Sequence, residues 1–284
     1  MIATQRSRLE RHARPAYFAL AYTLSWSQWL PLVFSGRVVR VGPDPSHFPG
    51  LFEPMIAAFV VTLATRGRRG AADLLGRMFH WRVSPVWYVA ALSPLAFGAI
   101  GLLAMRLLGQ ALPAVADFGR MGAMRSMPPA ALFLALIPLS GFSEEVGWRG
   151  FALPRMQRPL GALGASVLLA LPWALWHLPT FRLLEGYRDM APAMVVGFVL
   201  GLACGSIVLA WLFNRSGGSL WMVALYHGGL NLMTATLAAR GTLAAVVSTC
   251  VMLHAGVLIG LEWDARRRGR PGPMEPLERA AGAR

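Results

Sequence analysis

Phe142-Ser143-Glu144-Glu145-Val146-Gly147-Trp148-Arg149-Gly150 decides how this chain is read, because two adjacent glutamates and an arginine stand inside a long apolar run. A charged side chain at the centre of a bilayer costs roughly 3 kcal/mol on insertion scales and more by other measures. Such charges persist when they pair, line a water-filled cavity or carry out chemistry. The stretch therefore points to a polar site inside a membrane protein.

Outward from it, eight apolar stretches lie near 15–35, 50–66, 85–108, 130–153, 160–179, 191–213, 219–237 and 242–262. Each is close to the roughly 20 residues a helix needs to cross a bilayer. The chain of 284 residues is 56% hydrophobic and 14% charged, with a mean hydropathy of +0.51, which excludes a soluble globule. The expected fold is all-α, a polytopic membrane helix bundle of about eight transmembrane helices.

The basic residues number 27, all arginine, and the formal net charge is +14. They sort by loop. Arg6, Arg8, Arg11 and Arg14 precede the first span, and Arg66, Arg68, Arg69, Arg77 and Arg82 follow the second. Arg149, Arg155 and Arg158 flank the fourth-to-fifth connection, Arg215 the sixth-to-seventh turn, and Arg266, Arg267, Arg268, Arg270, Arg279 and Arg284 the C-terminal side. This alternation predicts both termini in the cytoplasm of a multi-pass protein of the cell (inner or plasma) membrane. The arginine excess sets orientation and contacts anionic lipid; it is not a nucleic-acid patch.

Three regions follow: a basic cytoplasmic tail over 1–14, one transmembrane domain over 15–262, and a disordered Arg/Gly/Pro-rich cytoplasmic tail over 263–284. The first apolar stretch reads as a retained helix, not a cleaved signal. Residues 72–79 have helical spacing suited to lying along the interface. Cys204 and Cys250 fall within spans, so no disulfide is expected.

Polar residues of the apolar spans gather in three clusters. In the first, Glu145 and Arg149 are four apart and share a helix face, while Glu144 is turned about 100° away and is left free to act as a general base. In the second, Trp173 and His177 are four apart, setting an aromatic face beside an imidazole that polarises water or carries a metal. In the third, His227 and Asn231 are four apart and both donate hydrogen bonds, as an oxyanion site requires. Two chemistries stay open. Glu144, His177 and His227 form a three-ligand zinc set with water as the fourth ligand. Alternatively, Glu144 and His177 activate water without metal, which the oxyanion character of Asn231 favours.

The ordered set resembles the CPBP intramembrane protease family, which includes the type II CAAX prenyl endopeptidases and bacterial proteins of bacteriocin processing and immunity. Its carriers are Glu144-Glu145-Val146-Gly147-Trp148-Arg149, then Trp173 through His177, then His227 through Asn231, within a wider likeness from Phe52 to Glu262. The resemblance implies Glu144 as the water-activating residue with His177 assisting, Glu145 and Arg149 as a supporting pair, and His227 with Asn231 as oxyanion stabilisers. The second motif usually begins with phenylalanine; Trp173 stands there in this chain and implies an altered pocket shape.

The expected activity is endopeptidase cleavage of a membrane-associated peptide or protein near its C-terminus. The competing reading is a non-catalytic binding, scaffold or immunity protein. One geometric condition attaches to the enzyme reading. At 1.5 Å per residue, Glu144 lies roughly 14 Å from the cytoplasmic end of the fourth span, near Pro154, whereas His177 lies roughly 25 Å from Leu160. The two meet only if the fifth span starts later, bends at Pro172 or tilts strongly.

Overall fold

The computed structural model describes residues 2–276, with side chains from Glu10 onward. Arg279 and Arg284 of the C-terminal tail, and the side chains of Arg6 and Arg8, lie outside the described residues.

Among the described residues the chain is helical, joined only by isolated bridges between loops. The long helices are α1 (Ile2–Phe34), α2 (Glu53–Met78), α3 (Pro85–Ala91), α4 (Ser93–Leu107), α5 (Pro129–Leu136), α6 (Leu153–Trp176), α7 (Pro192–Arg215), α8 (Leu220–Thr234) and α9 (Thr242–Arg267). Among the described residues four helical stretches are long and apolar enough to cross a membrane, or five if α3 and α4, bent by 46°, count as one. This is a multi-pass membrane architecture.

The longest stretch, Pro129–Leu183, has 55 residues. As a straight helix it would measure roughly 80 Å, more than twice the hydrocarbon thickness of a bilayer. Gly161 breaks it with φ 69 and ψ 172, a conformation that L side chains avoid. Gly67, at φ 68, breaks α2 in the same way and separates its apolar first half from the basic second half.

The stretch 1–14 is helical from Ile2 and continues into α1 without interruption. Ala13 and Tyr17 on that helix are fully buried, and Tyr17 packs on Phe151 at 4.7 Å between ring centroids. Higher on α1, Trp29 packs on Trp176 at 4.8 Å. At one end the loops interlock through bridges between Val39 and Leu184, Val41 and Gly122, and Met121 and Thr236. Asp44 fastens that end: Ser46 and Arg37 bond its carboxyl and hold it below the usual carboxylate range.

Beyond Trp263, α9 runs on to Arg267, and the chain then turns back so that Met274 is fully buried. The Met274 N–H donates to Glu262 Oε2 at 3.3 Å and its carbonyl accepts from Asn214 Nδ2 at 2.6 Å. Gln157 Nε2 in turn donates to Asn214 Oδ1 at 3.1 Å.

Candidate active site

Between α5 and α6 the helix widens into π-helical turns at Ile137–Phe142 and Val146–Ala152, on either side of the α-turn Ser143–Glu145. Pro138 supplies no N–H to the ladder, and the hydroxyls of Ser140 and Ser143 donate to the Leu136 and Leu139 carbonyls at 2.9 and 2.6 Å. Such widened turns recur at functional sites. Two glycines let neighbours come close. A Cβ on Gly141 would stand 2.8 Å from Ala224 of α8, and one on Gly147 would stand 2.7 Å from the Pro54 carbonyl of α2.

The wide segment carries both glutamates into the interior. Glu145 and Arg149 are fully buried and pair through Oε1 and Nη1 at 2.9 Å. His227, from the middle of α8, brings Nδ1 to the same Glu145 oxygen at 2.7 Å. A carboxylate only accepts, so Nδ1 carries the proton and Nε2 is the free nitrogen. That nitrogen stands 3.9 Å from Glu144 Oε1. The other Glu144 oxygen accepts from the Trp173 indole N–H at 2.7 Å. Arg149 lies over the Trp173 ring, 4.2 Å from its centroid, closing the group from the side. Glu144, Glu145, Arg149, Trp173 and His227 thus form one buried cluster drawn from three stretches of chain.

His177 is next to this cluster rather than inside it. Its Nδ1 donates to the Trp173 carbonyl at 2.8 Å, and its ring contacts Trp176 at 4.9 Å and Phe198 at 5.5 Å. The break at Gly161 explains why Trp173 reaches Glu144 at all. From Ala162 to Trp173 is roughly 17 Å of helix, close to the roughly 15 Å between Pro154 and Glu144. His177 stands one turn further on. Asn231 is half-buried, one turn beyond His227, and its side-chain amide has no hydrogen-bond partner among the described residues.

The zinc set of Glu144, His177 and His227 does not assemble. Among the described residues no three His, Cys, Asp or Glu side chains converge as a metal-binding group. Two zinc ligands at about 2.0–2.1 Å in tetrahedral geometry stand about 3.3 Å apart, nearer than His227 Nε2 and Glu144 Oε1. Both Nδ1 atoms are already engaged. The residues present do not fit that ion.

Sequence spacing did not disclose Tyr17, Trp148 or Phe198. Tyr17 places its hydroxyl against Gly147, and Trp148 packs on Tyr17 at 5.9 Å and on Trp176 at 5.9 Å. These rings belong to separate segments, so no local pattern announces them.

Residues 126–233 match the family model of Rce1-like type II CAAX prenyl endopeptidases. That segment contains every member of the cluster, together with His177 and Asn231. Among curated proteins, the chain is 22% identical over 253 residues to CAAX prenyl protease 2 of Methanococcus maripaludis, an alignment covering 86% of this chain and 92% of that protein.

Proposed function

Starting from a membrane protease of the CPBP family, which both matches support, we propose that this chain cleaves a membrane-associated peptide or protein with a water activated by Glu144. One observation carries the reading: Glu144 Oε1 and His227 Nε2 face each other across 3.9 Å while their remaining polar atoms are fixed by Trp173 and Glu145. A water molecule fits within hydrogen-bond reach of both.

Glu144 takes a proton from that water as its oxygen attacks the substrate carbonyl carbon, then returns the proton to the departing amine nitrogen. Negative charge on the carbonyl oxygen is met by His227 and by the unpartnered Asn231 amide. Because Nδ1–H is committed to Glu145, Nε2 donates only from the imidazolium. In that state Arg149 and His227 balance the two glutamates. Glu145 and Arg149 orient His227, and His177 assists from one turn away. The family ordinarily places phenylalanine where Trp173 stands, so this chain adds an indole donor to Glu144 that phenylalanine lacks.

Eight spans with both termini cytoplasmic fit the helices if α3 with α4 count as one and Gly161 divides two. A cell-membrane location, with arginines touching anionic lipid, accords with the sorting of basic residues. The relative's name points to a prenylated substrate. Phe198, Phe181 and Tyr187, stacked outward from His177, offer an apolar wall to such a group.

The test is cleavage of quenched C-terminal peptides, prenylated and not, by the purified protein in liposomes. Glu144→Gln keeps an acceptor for Trp173 but removes the base, and should lower the rate by about 10²–10⁴ without loss of fold. A folded Glu144→Gln protein that cleaves at the wild-type rate overturns the proposal.

A further inference from the structure

A polar cavity of about 120 Å³ lies between α1, α2 and the start of α6, apart from the glutamate cluster. Four arginines line it, Arg66, Arg77, Arg155 and Arg158, with only two acids, Glu10 and Asp73. Residues from both sides of the Gly67 break contribute.

Two of the arginines are committed. Arg77 pairs with Asp73 at 2.9 Å. Arg155 donates to Glu10 at 3.2 Å and to the Phe151 carbonyl at 3.1 Å, while its guanidinium lies over the Phe151 ring at 3.8 Å. It is thereby fixed as a wall, and its Nε is buried with no partner. Arg66 and Arg158 face the cavity with no carboxylate partner among the described residues. The formal excess is two positive charges in a space that holds several waters or one tetrahedral anion. Guanidinium forks match phosphate oxygens in pairs.

The surroundings say what the anion is attached to. Leu63, Leu75 and Leu160, on the segments that carry these arginines, are exposed at 47%, 48% and 42%. An anion with acyl chains would seat its phosphate among the guanidinium groups and lay its tails along exposed leucines of these same helices. We propose that this cavity binds the phosphate of an anionic lipid headgroup, held by Arg66 and Arg158 against the fixed Arg155.

The inference rests on the membrane setting and not on the protease reading, so Glu144→Gln should bind the lipid as the wild type does. The full chain in detergent is titrated with short-chain phosphatidic acid, with the matching phosphatidylcholine, and with inorganic phosphate, and bound lipid is counted by native mass spectrometry. Phosphatidic acid should be preferred, and Arg66→Gln/Arg158→Gln should weaken it on the order of tenfold. The pair Arg68→Gln/Arg69→Gln removes the same charge beside the cavity and should change binding by less than about twofold. Equal loss in both pairs, or equal binding of phosphatidylcholine, overturns the site. Displacement of the lipid by inorganic phosphate at matching concentration overturns the lipid as its source.

Discussion

Replacing Arg149 by methionine removes a permanent cation that touches both Glu145 and Trp173. The guanidinium is fully buried, bonds Glu145 at 2.9 Å and lies 4.2 Å from the Trp173 centroid. Methionine has similar reach and a flexible thioether, so the cavity term is small and the loss is chiefly electrostatic. Breaking a buried ion pair from one side costs about 3–5 kcal/mol, because the partner charge is stranded. The lost stacking on a desolvated indole adds about 2 kcal/mol. Glu145 keeps only the His227 contact at 2.7 Å. Arg149→Lys restores charge without the planar fork and should fall between the two. Equilibrium unfolding in mixed micelles, followed by circular dichroism, measures Arg149→Met, Glu145→Gln and the double variant. Glu145→Gln removes the stranded charge, so the double variant should recover about 2 kcal/mol or more relative to the sum of the singles. Strict additivity, or Arg149→Met within about 0.5 kcal/mol of wild type, would refute the reasoning.

Trp173→Phe deletes the indole donor bonded to Glu144 and should cut kcat about tenfold with KM little changed, since a charge-assisted hydrogen bond contributes about 1.5–3 kcal/mol; steady-state cleavage kinetics decide, and an unchanged kcat rejects a role for that bond. Asn231→Ala should lower kcat by about 10²–10³ as an oxyanion donor is lost, while the unfolding midpoint stays put because the amide holds nothing else; a lowered midpoint with normal kcat would make it structural. Gly141→Ala forces a methyl to within 2.8 Å of Ala224. It should destabilise by about 1–3 kcal/mol, read by the same unfolding assay, and a neutral result would mean that α8 can withdraw freely.

How far these features were legible varies with their range along the chain. The eight apolar stretches fall on helical segments, since length and hydrophobicity are local properties. The Glu145–Arg149 contact was readable from its four-residue spacing. Closure of the cluster was not. Trp173 reaches Glu144 across 29 residues and His227 reaches Glu145 across 82. Those contacts depend on the relative height of separate helices, which no periodicity encodes. The widened turns were equally silent, because Ile137–Phe142 and Val146–Ala152 read as ordinary apolar helix. The conformational break at Gly161 decided the height of the fifth apolar stretch. A lone glycine there admits either a straight helix or a sharp turn.

The return of the chain to Met274 bears on the timing of assembly. Asn214 donates to a carbonyl that lies 60 residues downstream, and Glu262 accepts from a backbone group 12 residues downstream. During synthesis both side chains are made before their partner exists. Gln157 and Arg266 can already engage Asn214 Oδ1 and Glu262 Oε1, but Asn214 Nδ2 and Glu262 Oε2 must stay solvated until that partner arrives, because burying an unpaired polar atom is costly. The ends of α6, α7 and α9 are therefore tied together late, and a pause in translation before residue 274 would hold the bundle open at that end.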